Sequence, residues 1–399
     1  MESNSATVES SLKVGDRVTV EIGPIAHGGH FIARHKGQVI FVRYGITGEE
    51  AVVEITSVSS KLARGDAVEI ITPSKDRVTP PCKYAVPGGC GGCDFQHIDI
   101  SKQSELKRSV VREQFSRLGR IELDLDVISV EPNNGLHWRT RMDFAISKSG
   151  KPGLYSARSK EVTEIDQCLI AVEAINDPAI FTRNWKGEDR LEVAVSNSGE
   201  RNVSRGGRSI SGPTQLHEVV GEHTFEISPS SFWQSHTSAP QVLTKLVMDL
   251  LALRPGDQVC DLYGGVGLFS APMAEDVGDI GKVHLIESSH RATQDALKIF
   301  EKKKNVQIHS GRVEQKLPLI NRVDVILLDP PRTGAGEMVV KHMVAKKPRT
   351  IVYVSCDPAS LARDARQLES AGYHLDHIVG FDLFPMTHHV ECVARFTLG

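Results

Sequence analysis

The sequence predicts an α/β protein: a doubly wound parallel sheet in the carboxyl-terminal part, preceded by a small β-barrel and a β-rich middle region. Three observations predict it. From Leu12 to about Ile71, short runs such as "RVTVEI", "QVIFV" and "AVVEI" alternate apolar with polar residues between glycine-rich turns. Between about Val127 and Phe225 the β pattern returns, with "RTRMDFAIS" and "LEVAVS" as its clearest strands. After Ser228, strand-like runs alternate with helical ones, the signature of a parallel sheet covered on both faces.

Composition sets the outer limits. A chain of 399 residues suits two or three domains, each with its own core. Its hydrophobic share of 40% and charged share of 24% describe a soluble globular protein. No apolar run nears the roughly 18 residues needed to cross a bilayer, which excludes membrane insertion. The first residues, "MESNSATVESS", lack the basic flank and apolar segment of a secretory signal, so they read as a disordered tail on a cytoplasmic protein. A net charge of -3 means that any nucleic acid must be held by a local basic patch. Seven cysteines, an odd number, suit a reducing compartment.

The breaks divide the chain into a tail (residues 1–11), a barrel (12–72), a middle region (73–97 and 125–225), a helical segment packing on the last unit (98–124) and that last unit (226–399). The short strands of the barrel suit the oligonucleotide-binding type, a scaffold that also serves purely structural roles. A loop rich in Pro, Gly and Cys follows it, "TPPCKYAVPGGCGGCDF", then a long polar helix in "SKQSELKRSVVREQFSRLG".

In the last unit, "QVCDLYGGVGLFSAPMA" reads as a strand, a glycine turn and a helix, in which Gly264, Gly265 and Gly267 let the backbone approach a ligand at the helix amino terminus. The next strand, "KVHLIESS", ends at Glu287, where an acidic residue accepts hydrogen bonds from ribose hydroxyls. Together they indicate an adenosine-containing cofactor. NAD and S-adenosylmethionine both use such a sheet edge; the dinucleotide fingerprint is not cleanly met, and "VDVILLDPPRTGAG" ends its strand in Asp329, Pro330 and Pro331, a rigid polar loop at the same edge. In "ISPSSFWQSHTSAPQ", Phe232 and Gln234 precede an amphipathic helix, and the Gln234 amide is a further cofactor contact.

Cys356 ends the fifth strand, "TIVYVSCDP", and so opens onto the pocket shared with Asp329, whereas a structural cysteine sits in mid-strand, as Cys260 does. A free thiol of pKa about 8.5 is mostly protonated near neutrality, so a nucleophile here needs nearby cations, for which Arg332 and Arg363 are candidates. Near the end, "FDLFPMTHHVECVARFTL" sets Glu391 among apolar neighbours, where a charge needs a partner or a task. Glu391 is therefore a candidate base. His388 and His389 are adjacent on a turn and read as pocket or surface residues rather than metal ligands.

The pieces "SFWQ", "DLYGGVGLFS", "LLDPPRTGAG", "VSCDPASLARD" and "FPMTHHVE" resemble, in this order and over essentially the whole chain, the S-adenosylmethionine-dependent RNA uracil-C5 methyltransferases, which form 5-methyluridine. The resemblance implies a Rossmann-like class I methyltransferase domain at the carboxyl terminus, an amino-terminal OB-like β-barrel of the TRAM type, which binds RNA, and a β-rich central domain. It implies Cys356 as the nucleophile that adds to carbon 6 of uracil, Glu391 as the base that removes the carbon 5 proton, and Gln234, Tyr263, Glu287 and Asp329 as the methyl-donor site. The substrate implied is a uridine flipped out of structured RNA, with ribosomal RNA favoured and transfer RNA the alternative, worked on by a monomer. Rival readings are an RNA cytosine-C5 methyltransferase, against which the "SCDP" context and Glu391 argue, and a non-catalytic RNA-binding or chaperone protein.

Cys82, Cys90 and Cys93 form C-x7-C-x2-C, and Cys168 lies in "EIDQCLI". Four cysteines in a reducing cell suggest a tetrathiolate zinc or an iron–sulfur cluster, and the spacing leans to zinc. The resemblance implies a [4Fe–4S] cluster instead, with a structural or RNA-folding role. Candidate phosphate contacts are Arg139, Arg141, Arg158, Lys102, Lys107 and Arg108.

Overall fold

The run Val325–Leu328 has no polar side chain and all four residues are buried, the mark of a strand covered on both faces. It lies near the middle of an eight-stranded sheet in the computed structural model, which describes residues 12–59 and 62–399. The expected disordered tail, residues 1–11, lies outside the described residues. Across that sheet the strands run Val306–Ser310, Lys282–Glu287, Gln258–Leu262, Val325–Leu328, Thr350–Ser355, Glu391–Leu398, Tyr373–Asp382 and Val127–Ser129. The first five are mutually parallel. Glu391–Leu398 is antiparallel to its neighbours on both sides.

Helices cover both faces. One core holds Leu243, Val247 and Leu250 of helix Ala239–Leu251, with Met273 and Ala296 from the two helices that follow it. The other holds Val340 and Met343, Leu361 and Leu368, and Val111 from helix Ile100–Gln114. The fold class is therefore the expected Rossmann-like one. The strand Val127–Ser129 belongs to this sheet rather than to the middle region, because it pairs in parallel with Tyr373–Asp382.

The amino-terminal sheet has six strands in the order Arg17–Glu21, Glu50–Val58, Leu62–Thr72, Gln38–Arg43, His30–His35 and Ile25–Ala26. Register shifts between Glu50–Val58 and Leu62–Thr72 bend that long pair, so the sheet curls around Phe31, Ile40, Val42 and Val53. The middle sheet is six-stranded and antiparallel, centred on Arg141–Ile146 and Arg190–Val195. Trp138, Phe144 and Leu191 fill its own core.

Helix Ile100–Gln114 departs from its reading as a polar, phosphate-facing element. Lys107 is buried, and its Nζ donates to Asp382 at 2.5 Å and to the Phe384 carbonyl at 3.0 Å. Gln103, also buried, accepts from the Met386 N–H at 2.8 Å and donates to the Ile98 carbonyl at 3.0 Å. Lys102 pairs with Glu105, and Arg108 with Asp124. The helix is thus a wedge between the barrel and the last strands of the large sheet. Lys107→Met strands a buried carboxylate and is expected to lower stability by about 3–5 kcal/mol, whereas Lys107→Met with Asp382→Leu recovers most of the loss. Urea unfolding midpoints of the three proteins check this.

Candidate active site

An antiparallel strand beside parallel ones begins at the edge where they end. Ser355, last in its strand, pairs with Cys392, so one more step sets Cys356 opposite Glu391. Cross-strand partners share a face, with Cβ atoms about 4.5–5.5 Å apart. Asp357 and Pro358 then turn the chain into helix Pro358–Ser370: the Asp357 carboxylate caps it, accepting from the Ser360 N–H at 2.7 Å, and proline occupies the first turn. Cys356 is left half-buried between strand and helix, while Cys260 is sealed in mid-strand.

The neighbouring strands deliver their ends to the same edge. Tyr263, after Gln258–Leu262, holds a left-handed backbone at φ 61°, a strained conformation for a residue with a side chain. It opens the glycine turn, where Gly267 has φ 95° and any Cβ would lie 2.3 Å from the Phe300 ring. Glu287 secures the turn by accepting from the Gly265 N–H at 3.0 Å. Asp329 follows Val325–Leu328, and the Gln234 amide donates to it at 3.4 Å. Ser228 and Ser231 donate to Asp295, pinning the loop that carries Phe232 and Gln234.

These residues line one cleft of about 840 Å³, within the size range of small-molecule sites. Gln234, Tyr263, Glu287 and Asp329 are on its wall together with Cys356 and Glu391. Phe232, 68% exposed, offers an aromatic face at its mouth. Trp138 and Arg139 come from the middle region, and Gly92 from the cysteine-rich loop.

The cleft and the strand behind it gather acidic groups, with Arg332 as the cation opposing them at Cys356 and Glu391. Burial pushes Asp329 up to about 7, and Asp261 adds to the rise. Asp261 is itself pushed to about 7 by burial and, less, by Glu287; one of its carboxylate oxygens has no hydrogen-bond partner. Burial and Asp329 hold Glu391 well above the usual carboxylate range. Burial, then Glu391 and Asp329, push the Cys356 thiol up to about 12, opposed by Arg332. A cavity of this kind favours a cation. Asp261 was missed in the sequence although it carries the same signal as Glu391, a carboxylate inside an apolar strand.

Other sequence expectations need correction. Arg141 is not a phosphate contact: its guanidinium is buried and donates to the Pro229 and Ser231 carbonyls at 2.8 and 2.9 Å, and burial lowers its pKa to about 10. Of the two arginines proposed to act on Cys356, Arg332 does so, while Arg363 lies exposed on the following helix. Cys82, Cys90, Cys93 and Cys168 share one neighbourhood, in which Cys90 feels Cys168 and Cys82, and Cys93 feels Cys168 and Cys90. Among the described residues, however, no group of three or more His, Cys, Asp or Glu side chains is arranged to hold a metal ion. Nor is any helix there long and apolar enough to cross a membrane.

Comparison with known proteins agrees with this architecture. Residues 319–397 match the tRNA (Uracil-5-)-methyltransferase family, and residues 11–68 match the TRAM domain. Residues 215–326 match the protein-L-isoaspartate O-methyltransferase family, whose match covers the glycine turn and Glu287. An uncharacterized RNA methyltransferase of Streptomyces coelicolor is 41% identical, covering 96% of this chain and 93% of that one. One from Corynebacterium efficiens is 35% identical, covering 97% and 96%. The crystal structure of the Pyrococcus abyssi tRNA (uracil-54, C5)-methyltransferase in complex with S-adenosyl-L-homocysteine superposes with a TM-score of 0.72, at 23% identity, over 95% of this chain and 99% of that one. That likeness shows a shared fold. With near-complete coverage by RNA methyltransferases and a uracil-5 match over the strands that bear Cys356 and Glu391, the chain belongs to the tRNA (uracil-5-)-methyltransferase family of RNA methyltransferases.

Proposed function

We propose that the protein methylates carbon 5 of a uridine in structured RNA, with S-adenosylmethionine as methyl donor and Cys356 as a covalent catalyst. The observation that carries this reading is the shared cleft: a thiol and a carboxylate on adjacent strand ends, beside a glycine turn and three further acidic groups. S-adenosylmethionine supplies an electrophilic methyl group on a positively charged sulfur. Gln234, Tyr263, Glu287 and Asp329 are the residues that would hold it, and the negative cleft suits its charge.

Carbon 5 of uracil is a poor nucleophile. Addition of the Cys356 thiolate to carbon 6 makes an enolate whose carbon 5 can take the methyl group. The adduct then carries one proton too many on carbon 5. Glu391 removes it, the carbon–sulfur bond breaks, and the pair of electrons returns to Cys356. Burial and the neighbouring acids favour the protonated form of both groups in the empty cleft, so arming them requires positive charge, from Arg332 and from the donor's sulfur. A base in this position contributes roughly 10²–10⁴-fold.

The TRAM barrel and the middle region, in the domain division drawn from the sequence, are proposed to hold the RNA, with the enzyme acting as a monomer in the cytoplasm. Ribosomal RNA is the favoured substrate, and transfer RNA the alternative. Cys82, Cys90, Cys93 and Cys168 are proposed to hold a [4Fe–4S] cluster, with zinc as the alternative ion, although as placed their side chains do not form a set arranged around a metal. The chemistry of four neighbouring thiols supports it. The cluster takes no part in methyl transfer.

With labelled methyl donor and RNA from cells lacking the gene, Cys356→Ala is expected to abolish label in uridine. Glu391→Gln is expected to slow release by about 10²-fold or more and to accumulate a protein–RNA adduct that survives denaturation. An adduct in the Cys356 variant would show that another residue attacks. Separating ribosomal from transfer RNA before counting identifies the substrate.

The charge of the cleft makes a second test. A bound cation favours ionised Asp329, so binding releases a proton and tightens as pH rises through about 7. S-adenosylhomocysteine, which lacks the sulfonium charge, is expected to show a smaller effect. Calorimetry in two buffers of different ionisation enthalpy measures the difference.

A further inference from the structure

The barrel does more than flank the cleft. Its loop after Ile25–Ala26, "HGGH", reaches both chain segments that carry the proposed chemistry. His27 Nε2 lies 3.0 Å from Asp357 Oδ2, on the residue directly after Cys356. Gly29, at φ +76°, passes so close to the turn before Glu391 that a Cβ would stand 2.6 Å from the Cβ of His388. His388 is held in turn by Asp94, Nδ1 to Oδ2 at 2.6 Å, and Arg43 of the barrel lies 3.7 Å from the other Asp94 oxygen. Two contacts from one loop therefore meet two loops that are distant in sequence.

Asp357 has two duties. One oxygen caps the helix through the Ser360 N–H, and the other faces His27. Its position thereby sets where the strand ends and where Cys356 stands. Its charge also opposes ionisation of that thiol, alongside Glu391 and Asp329 and against Arg332.

We propose that the TRAM barrel is a working part of the active site: His27 is a positioning residue that holds Asp357, and with it the loop of Cys356, while Gly29 seats the turn before Glu391. Docking of the barrel, and not RNA binding alone, then sets the rate of the covalent step. This rests on the function proposed above for its kinetic readout, but it has a readout that does not.

The test uses the full-length protein with His27→Ala, His27→Gln and Gly29→Ala. The rate at which iodoacetamide alkylates Cys356 without RNA is followed by mass spectrometry of its peptide at fixed pH. His27→Ala and Gly29→Ala are expected to slow it by roughly five-fold, the scale of one partly exposed ion pair, and His27→Gln, which keeps a donor, to recover most of the rate. In methyl transfer to RNA from cells lacking the gene, the same two variants are expected to lower kcat while leaving KM for RNA within about two-fold. Unchanged alkylation and kcat in both variants would overturn the proposal. So would a raised KM with unchanged kcat, which assigns the loop to RNA contact. If wild type methylates no RNA, the functional reading fails, and alkylation still decides the role of His27.

Discussion

The pairing of Thr350–Ser355 with Glu391–Leu398 is the constraint on which the site depends. In an all-parallel sheet every strand ends at the same edge, and an acid at a strand's first residue would be carried to the opposite edge. Reversing one strand brings its first residue to the edge where the others finish. The reversal is made by Tyr373–Asp382, which leads into the Phe384–Thr387 turn and back. Every residue of Thr350–Ser355 is buried, and a slip of one position in the pairing would turn Cys356 and Glu391 to opposite faces. The hydrophobic core on both sides of the sheet thus fixes a distance between two polar groups.

That placement has an electrostatic consequence. Asp261, Asp329, Glu391 and Cys356 are gathered with Arg332 as the only cation among the main charges acting on Cys356. Folding such a cluster without a partner is unfavourable, and the cleft relieves it by keeping protons on groups that would otherwise lose them. A positively charged ligand removes the same conflict, so ionisation of Cys356 and Glu391 is tied to occupancy.

What could be seen in the sequence were the features that act locally. A strand end marked by glycines, by Asp329 with two prolines, or by Cys356 with Asp357 and Pro358 declares itself within a few residues, because backbone geometry there is set by neighbours in the chain. The six residues proposed for catalysis and methyl-donor binding accordingly meet in one cleft, whereas the four cysteines proposed as metal ligands lie outside it. Charge was read less well. Lys107 and Arg141 looked like surface cations, and both are buried by partners far along the chain, Asp382 for one and the Pro229 and Ser231 carbonyls for the other. The strand Val127–Ser129 escaped its sheet assignment for the same reason, since three residues hold too short a pattern to name their neighbour.

Helix Ile100–Gln114 shows why so much of this molecule is non-local. On one flank Gln103 reaches the segment joining the cysteine-rich loop to this helix, through the Phe95 and Ile98 carbonyls. On the other it grips Met386 in the turn before Glu391, while Lys107 holds Asp382 one step earlier. The cysteine-rich loop closes the circuit, because the Asp94 and Phe95 N–H groups both donate to the Met386 carbonyl, at 2.9 and 3.0 Å. A turn held by donors and acceptors from three different parts of the chain has few ways to move alone. The carboxylate that follows it is therefore held opposite Cys356 both by the pairing of its own strand and by the helix and cysteine-rich loop that grip the turn before it.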